Sequence, residues 1–425
     1  MSSVDVLFGK TTLPVSLPAT VKPLVIRKPT MPVESDPEAA VGKALAQPVQ
    51  SLSLRELAQS AQSASIVICD ITRPVPNGLL LPPMIRTLLD AGIPKEKINV
   101  LVATGLHRPN LGEELRELVG SDWVLETVAV ENHYARRDEE HAFLGTTPRG
   151  TRVGIDRRFV EADLKIVTGL VEPHFMAGYS GGRKVISPGI AHADTIRTFH
   201  NTVFMENPLA RNCNLEGNPL HDEQLEIVRK LGSIYAVNTV LDDERRLAHV
   251  NFGDILASHE SAVSFVRRYA EAPIPKPYPV VITSCAGYPL DKTYYQTIKG
   301  IVGALNALQP GGRLLIASEC SEGLGSEEFM EAQETLVRLG VEKFMIEARQ
   351  RPLANIDEWQ TVKLAEALRR GEIHLYSPKL NGQEQHATGL HCHASWEEAV
   401  QTVVGSTTEV AVIPEGPYVI PMVRA

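Results

Sequence analysis

Hydrophobic residues in this chain fall into short continuous runs rather than into a strictly alternating pattern. Runs of this kind, rich in valine and isoleucine, are typical of strands that are buried on both faces, as in parallel sheets. The segments that show the pattern are SASIVICD (63–70), INVLVATG (98–105), LKIVTGLVEP (164–173), PVVITSCAG (279–287), GGRLLIASEC (311–320) and EVAVIPEG (409–416). We predict that each of them is a strand.

Helical patterns lie between these runs. They are LPPMIRTLLDAG (81–92), EELRELVG (113–120), EEFMEAQETLVRLG (327–340) and TVKLAEALRRG (361–371). Several end in glycine, a common signal for the end of a helix. Alternation of strand and helix predicts an α/β fold with doubly wound sheets.

The length of the chain and one proline-rich segment predict two domains. At 425 residues the chain is too long for one ordinary core. The segment EAPIPKPYP (271–279) holds four prolines in nine residues, which predicts an extended spacer. We therefore predict an N-terminal α/β domain over 1–270 and a C-terminal α/β domain over 280–425. Within the first, we expect a small hairpin over 5–18.

Composition excludes several classes of partner. The net charge is −9 and no run of lysine or arginine is present, so a nucleic-acid partner is not expected. No apolar run is long enough to cross a bilayer, and the start MSSVDVLFGK does not resemble a secretory signal. The five cysteines are scattered and never form C-x-x-C, which favours reduced thiols in a cytoplasmic protein.

Unusual polar residues follow the predicted strands. Asp70, Ile71, Thr72 and Arg73 follow the first, His107 the second and His174 the third, while Gln296 and Lys299 come shortly after a strand of the second domain. Ligands of open α/β sheets bind outside the carboxyl ends of the strands. This placement predicts one site in the cleft between the two domains.

The segment EPHFMAGYSGGRKVISPGIAH (172–192) contains four glycines. Glycines let backbone N–H groups approach an anion, but the segment does not match the G-x-x-x-x-G-K-[ST] pattern of ordinary ATPases. Two interpretations stay open at this point. The glycines either form a phosphate or nucleotide cradle of another kind, or they form a tight structural turn.

The histidines are candidates for proton transfer or for metal binding. His107 and His174 follow neighbouring predicted strands, and histidine is the side chain best suited to proton transfer near neutral pH. A structural role is the alternative for each of them. His200, after a predicted helix, is either a metal ligand or a polar residue at a helix end.

Together the motifs DITRP, GLHRP, EPHFMAGYSGGRKVISPGI, FHN and YYQTIKG resemble the lactate racemase family, in order and spacing, across nearly the whole chain. The resemblance implies two α/β domains with the active site between them. It also implies a nickel-pincer nucleotide (nickel pyridinium-3,5-bisthiocarboxylic acid mononucleotide) attached covalently to Lys184, with His200 as the nickel ligand. Asp70, Ile71, Thr72 and Arg73 match the family's other cofactor-binding segment, although Arg73 can alternatively reach the substrate carboxylate.

The same resemblance implies the activity. His107 and His174 match the family's acid/base pair, and Gln296 and Lys299 match its substrate-binding residues. The expected reaction is racemisation or epimerisation of lactate or a related 2-hydroxy acid by reversible hydride transfer from Cα. The expected partners are that small molecule and the host enzymes that load the cofactor. Two alternatives remain, a hydroxy-acid-binding or sensor protein without turnover and a nucleotide-dependent phosphotransferase.

Overall fold

The computed structural model describes residues 4–424. Twenty β-strands form in this part of the chain. In order they are β1 (Val4–Phe8), β2 (Thr11–Val15), β3 (Leu24–Val25), β4 (Ala64–Cys69), β5 (Ile98–Ala103), β6 (Ala129–Asn132), β7 (His141–Thr146), β8 (Arg152–Asp156), β9 (Leu164–Leu170), β10 (Pro173–His174), β11 (Gly178–Tyr179), β12 (Tyr235–Leu241), β13 (Leu247–Asp254), β14 (Glu271–Ile274), β15 (Tyr278–Ser284), β16 (Leu308–Ala317), β17 (Gly371–Tyr376), β18 (His391–His393), β19 (Val410–Ile413) and β20 (Ile420–Val423).

Helices connect most of these strands. The α-helices are α1 (Pro37–Ala46), α2 (Leu54–Gln59), α3 (Asn77–Asp90), α4 (Glu113–Val119), α5 (Asp122–Thr127), α6 (Arg157–Val160), α7 (Arg183–Ile186), α8 (Ala193–Phe199), α9 (Thr202–Met205), α10 (Pro219–Arg229), α11 (Ile255–Ala270), α12 (Tyr294–Ala304), α13 (Glu327–Leu339), α14 (Val341–Arg349), α15 (Glu358–Arg370), α16 (Gly382–Ala387) and α17 (Trp396–Val404). Short 3-10 helices span Lys95–Lys97, Asp138–Glu140, Leu290–Lys292, Leu305–Ala307 and Gly416–Tyr418.

The described chain divides into two compact units. The Asp70 unit comprises residues 30–199 and 215–268, and the Gln296 unit comprises residues 4–29, 200–214 and 269–424. Each unit contains a six-stranded sheet. The α/β class with parallel strands, predicted from the continuous apolar runs, is therefore confirmed.

A six-stranded sheet of order β13-β12-β9-β4-β5-β6 forms the centre of the Asp70 unit. All its neighbouring strands run parallel except β13, which pairs antiparallel with β12 at one edge. β4 reads ASIVIC and buries its first five residues, because helices cover apolar side chains on this sheet. The three strands that precede Asp70, His107 and His174 are therefore adjacent, with β4 between β9 and β5.

The sheet of the Gln296 unit has the order β18-β17-β16-β15-β19-β3, and all of its strand pairs are parallel. The first residues of the chain join this unit for two reasons. β3 extends the sheet beside β19, and the hairpin of β1 and β2 places Val6 and Val15 in an apolar cluster with Trp396. The hairpin predicted over 5–18 is confirmed, but it lies in the Gln296 unit and not with the rest of the predicted N-terminal domain.

Residues 200–214 also belong to the Gln296 unit, although the predicted N-terminal domain was continuous over 1–270. The buried ammonium of Lys363 donates to the carbonyl oxygens of Met205 and Ala210, at 2.6 Å and 3.0 Å. A two-pronged ion pair from Arg349 to Glu206 adds a further contact. These bonds explain why the compact units are discontinuous in sequence. The predicted division of labour between two domains stays a prediction.

The proline-rich segment 271–279 differs from the expected free spacer. Its first part is β14, which pairs in parallel with β20, and β15 begins at Tyr278. A two-stranded edge tolerates proline because it leaves one side of the strand without ladder bonds.

Two further findings concern the described residues as a set. None of their helices is long and apolar enough to span a bilayer. All five cysteines are free thiols, as predicted.

Candidate functional site

The carboxyl ends of β4 and β5 bring Asp70 and His107 into contact. In the parallel pair Cys69 lies opposite Ala103, so the residues that follow each strand emerge side by side. Nδ1 of His107 lies 2.6 Å from Oδ2 of Asp70. The carboxylate is buried, whereas the imidazole side chain is 59% exposed. The result is a histidine held by a buried carboxylate at the sheet edge.

The second carboxylate oxygen of Asp70 is held by its own loop. Oδ1 accepts hydrogen bonds from the hydroxyl of Thr72, at 2.6 Å, and from the backbone N–H of Thr72, at 3.3 Å. Burial raises the pKa of Asp70, but the hydrogen bonds to His107 and Thr72 and the charges of His107 and Arg73 outweigh burial, so the net pKa is lowered. Asp70 is thus an anion at neutral pH.

The loop that carries His107 is fixed at both ends. Thr104 donates its hydroxyl proton to the carbonyl of His133, and the N–H of Gly105 donates to the carbonyl of Gly189. Further along, Asn110 and Asn132 exchange two hydrogen bonds of 2.9 Å and 2.8 Å. These contacts define where the histidine ring lies.

Arg73 and Ile71 are tied to different neighbours. Nη1 of Arg73 donates to Oε1 of Glu172 at 2.7 Å, and the N–H of Ile71 donates to the side-chain oxygen of Asn110 at 3.3 Å. Both members of the Arg73–Glu172 pair are about 30% exposed. Since Glu172 directly precedes the His174 hairpin, this ion pair connects the loop after β4 to the segment after β9.

His174 lies in a tight hairpin formed by β10 and β11, where it pairs with Gly178. Nδ1 of His174 accepts hydrogen bonds from the backbone N–H groups of Met176 and Ala177, at 3.3 Å and 3.2 Å. Its ring stacks on Phe175 with centroids 5.1 Å apart. The imidazole of His174 therefore stabilises the turn between β10 and β11 through its Nδ1 atom.

Packing within the protein explains two glycines of the glycine-rich segment 172–192. Gly181 and Gly182 have φ angles of +77° and +47°, in the left-handed region that glycine favours. A Cβ on Gly181 would lie 2.6 Å from the side chain of Val171, and one on Gly182 would lie 3.1 Å from the ring of His259. These contacts fit the structural-turn interpretation, and a phosphate cradle is not needed to account for either glycine.

A buried arginine precedes Lys184 in α7. Arg183 is fully buried, with Nη2 donating to the carbonyl of Ala177 at 2.8 Å and Nη1 lying 2.9 Å from Nε2 of His259. Burial lowers the pKa of Arg183 to about 9. Lys184 itself is half-buried, and its backbone N–H donates to the carbonyl of Gly181 at 3.1 Å. The short helix α7 is therefore anchored by Arg183 beside the lysine.

In the Gln296 unit, His200 lies against an aromatic cluster. His200 directly follows α8 and is buried, with its ring centroid 5.0 Å from that of Trp359. The indole N–H of Trp359 donates to the hydroxyl of Tyr295 at 3.4 Å, and that hydroxyl donates to Asp357 at 3.2 Å. Trp359 thus contacts His200 directly and connects it to Tyr295.

Gln296 and Lys299 lie on α12, which begins with Thr293 as its N-cap. Both residues are half-buried. The amide oxygen of Gln296 is buried and has no hydrogen-bond partner among residues 4–424. A buried acceptor without a donor costs free energy, so this oxygen is suited to a polar ligand.

The ten predicted site residues therefore fall into two groups. Seven lie in the Asp70 unit at the ends of three adjacent strands or in the glycine-rich segment, namely Asp70, Ile71, Thr72, Arg73, His107, His174 and Lys184. His200, Gln296 and Lys299 lie in the Gln296 unit. In the described part of the chain, no three His, Cys, Asp or Glu side chains are grouped so that they could hold a metal ion.

Two relationships were not predicted from the sequence. Asp70 was expected to contact the cofactor and was not paired with His107, and Glu172, the partner of Arg73, was not singled out. The first could have been found, since an acidic residue and a histidine at the ends of adjacent parallel strands are neighbours. The second depends on an arginine side chain crossing to another loop, which no local pattern reveals.

Comparison with protein families gives two matches. Residues 8–212 match the lactate racemase N-terminal domain, and residues 275–421 match the lactate racemase C-terminal domain. Among curated proteins, lactate racemase from Thermoanaerobacterium thermosaccharolyticum is 32% identical, with 99% of each chain covered. Lactate racemase from Lactiplantibacillus plantarum is 34% identical over 69% of this chain and 68% of the relative.

Solved structures agree with these matches. The lactate racemase apoprotein from Thermoanaerobacterium thermosaccharolyticum superimposes with a TM-score of 0.91 at 30% identity, with 100% of both chains covered. A Thermotoga maritima protein superimposes with a TM-score of 0.68 at 18% identity, covering 92% of this chain and 100% of that one, and this likeness concerns the fold alone.

Proposed function

The chain belongs to the lactate racemase family, and from this premise we propose that it is a racemase or epimerase of a 2-hydroxy acid, with lactate or a related 2-hydroxy carboxylate as substrate. The observation that carries the proposal is the hydrogen bond between His107 and the buried carboxylate of Asp70, with His174 at the end of an adjacent strand. A carboxylate that orients an imidazole is a recurring device for proton transfer.

Proton transfer alone cannot invert a 2-hydroxy acid easily. The ionised carboxylate makes the Cα–H bond a very poor acid, so removing the hydrogen as a proton is unfavourable. When bound, the nickel-pincer nucleotide would supply a hydride acceptor, which avoids that carbanion. The histidines then handle the hydroxyl proton, and two are needed because the two hands of the substrate present the hydroxyl on different sides.

The residues proposed to hold the cofactor suit it chemically. Lys184 offers a primary amine for covalent attachment, and His200 offers an imidazole, which together with sulfur donors suits nickel. Because the cofactor carries its own sulfur donors, only one nickel ligand is needed from the protein, and His200 is proposed for it. The loop Asp70, Ile71, Thr72 and Arg73 is proposed as the second cofactor-binding segment.

Gln296 and Lys299 are proposed to bind the substrate. A lysine ammonium is a compact charge that suits a carboxylate, and an amide can bond a hydroxyl or a keto oxygen. The buried, unpartnered oxygen of Gln296 supports this role, since a substrate hydroxyl would satisfy it. Arg73 is the alternative carboxylate-binding residue, and its ion pair with Glu172 makes it the weaker candidate.

Two other functions receive less support. The phosphotransferase hypothesis requires the glycine-rich segment to be a phosphate loop. Packing within the protein already accounts for Gly181 and Gly182, so this hypothesis has less support. A sensor without turnover has no use for an exposed histidine that is oriented by a buried carboxylate. We further propose that the protein works in the cytoplasm and depends on host enzymes that load its cofactor.

The first experiment tests the cofactor by intact mass and nickel analysis of protein purified from a host that makes the pincer nucleotide. We expect a mass increment and near-stoichiometric nickel in the wild type, and loss of the increment in Lys184→Ala. Lys165→Ala is the matched control, because Lys165 is another partly buried lysine of the same unit and donates to the carbonyl of Ala162. This variant should keep both adduct and nickel.

The second experiment follows chiral inversion of a panel of 2-hydroxy acids by the loaded protein. We expect both hands of at least one acid to be interconverted by the wild type and by Lys165→Ala, and neither by Lys184→Ala. If a host proven to load a family member yields protein without adduct, nickel or inversion, the racemase proposal is wrong and a binding protein becomes the better interpretation.

A further inference from the structure

The two histidines use their Nδ1 atoms in opposite ways. Nδ1 of His107 faces Oδ2 of Asp70, and a carboxylate anion only accepts hydrogen bonds, so this nitrogen carries a proton. Nδ1 of His174 receives the N–H groups of Met176 and Ala177, and these groups only donate, so this nitrogen carries none. The contacts alone therefore fix a different tautomer for each ring.

We propose that Asp70 is a positioning residue for His107, and that His107 and His174 rest in opposite tautomers, one as proton acceptor and the other as hydrogen-bond donor. His107, with its proton on Nδ1, has its lone pair on Nε2. Neutral His174, with its lone pair on Nδ1, has its proton on Nε2. The inference rests on the proposed function, whose acid/base pair it divides into two unlike members.

The surroundings of Asp70 make its role specific. The side chain of Asp70 is 7% exposed, and its carboxylate is held from the other side by the hydroxyl of Thr72, so it cannot rotate away from His107 without breaking that bond. A buried anion at hydrogen-bond distance also stabilises the ring when it gains a second proton. His107 can therefore accept a substrate proton at Nε2 while the Nδ1–H bond to Asp70 is kept.

His174 meets the opposite situation. A second proton on this ring would have to bind Nδ1, where it would face two N–H groups in place of two acceptors. Those groups belong to the turn between β10 and β11, so they cannot turn away unless the hairpin opens. In this conformation His174 is consequently a neutral hydrogen-bond donor from Nε2, and it can transfer that proton only after Nδ1 has gained one.

This asymmetry has a consequence for racemisation. For one hand, Nε2 of His107 can take the hydroxyl proton from the resting tautomer, and the bound cofactor would supply the acceptor for the Cα hydrogen and its electron pair. Return of a proton from His174, or uptake of the other hand's hydroxyl proton by His174, requires a proton on Nδ1 of that ring, because a neutral ring that lost its Nε2 proton would become an imidazolate. Both steps therefore require release of the bonds from Met176 and Ala177. Because the two hands have equal free energies, kcat/KM must be the same for both, so the difference shows in kcat and KM separately.

Nitrogen NMR of the histidine rings tests the tautomers without any cofactor. The full chain is labelled with 15N-histidine at neutral pH, and the two signals are assigned with His107→Gln and His174→Gln. We expect His107 to be protonated at Nδ1 and His174 to be neutral and protonated at Nε2. In Asp70→Asn the His107 signal should change, and the His174 signal should not. Equal tautomers in the wild type, or a His107 signal that ignores Asp70→Asn, would overturn the proposal.

Kinetics of the loaded protein provide the second readout. Asp70→Asn should lower kcat by roughly 10²- to 10⁴-fold, as expected for a histidine that loses its orienting carboxylate. Asp163→Asn is the control, since it neutralises an exposed carboxylate that directly precedes β9, at the opposite end of that strand from His174, and it should leave kcat unchanged. An Asp70→Asn enzyme with wild-type kcat for both hands would contradict the positioning role. A wild type that shows the expected tautomers but no racemisation would refute the proposed function instead.

Discussion

Two histidine–aspartate pairs in the Asp70 unit look alike in composition and differ in what the second ring nitrogen meets. In one, His107 is 59% exposed and bonded through Nδ1 to Asp70. In the other, His133 and Asp156 both have fully buried side chains, with Nδ1 lying 3.1 Å from Oδ2 of Asp156. Nε2 of His133 lies 3.1 Å from the carbonyl oxygen of Ala191.

The partner of the second nitrogen separates the two roles. A carbonyl oxygen only accepts, so Nε2 of His133 donates to the backbone while Nδ1 faces the carboxylate of Asp156. Its bond to Ala191 anchors the end of the glycine-rich segment. Burial raises the pKa of Asp156, but hydrogen bonds from His133 and Arg158 outweigh it and lower the pKa to about 2. A histidine–aspartate pair alone is therefore not evidence of proton transfer.

The largest expected effect on stability comes from Asp156→Asn. The change keeps the shape of the side chain but removes the buried negative charge that faces Arg158 and His133, so we expect the free energy of unfolding to fall by about 3–5 kcal/mol. Urea denaturation followed by circular dichroism measures the loss. Asp163→Asn is the matched control, because that carboxylate is exposed, and its effect should stay below about 1 kcal/mol.

The same pair of variants can break the comparison. If Asp156→Asn left stability unchanged and instead abolished activity of the folded, loaded protein, the buried pair would be part of the catalytic machinery. The distinction drawn from the second nitrogen would then be wrong.

Much of the fold was predictable because it depends on local patterns. β4, β5 and β9 are continuous apolar runs, and their parallel pairing follows from the helices between them. Placement of Asp70, His107 and His174 at neighbouring strand ends followed from the same logic, and the structure confirms it. The family resemblance, which the comparisons confirm, supplied the expected roles.

Other features depend on long-range contacts that no local pattern encodes. Residues 200–214 join the Gln296 unit through the ammonium of Lys363, more than a hundred residues away in sequence. The glycines at 181 and 182 were explained only when Val171 and His259 were found against them. The tautomers of His107 and His174 likewise depend on which nitrogen faces which partner, a matter of ring orientation.

A third kind of histidine sharpens the comparison through pH. Burial, followed by the charge of Arg183, lowers the pKa of His221 to about 3 and that of His259 well below its ordinary value. Below about pH 6.5 these two histidines are protonated in the unfolded chain but stay neutral in the folded protein. The free energy of unfolding should therefore fall as pH drops below about 6.5, by at most about 1.4 kcal/mol per pH unit for each ring.

Urea denaturation between pH 7.5 and 5 measures this slope in the wild type and in His221→Gln. We expect a shallower slope in the variant, because it lacks one of the two rings whose pKa is lowered by folding. His386→Gln is a suitable control, since His386 lies on α16 of the other unit and is not buried. Identical slopes in the wild type and His221→Gln would mean that His221 accepts its proton in the folded state.

The smallest effect is expected next to His107 itself. Arg108 forms a two-pronged ion pair with Glu114, at 2.9 Å and 2.7 Å, but its side chain is 71% exposed. Water screens such a pair, so Arg108→Ala should change the free energy of unfolding by less than about 1 kcal/mol. Neighbouring residues of one loop thus have acidic partners in different surroundings. Arg108 is paired in solvent, whereas His107 depends on a carboxylate that solvent does not reach, and a large loss of stability in Arg108→Ala would remove that contrast.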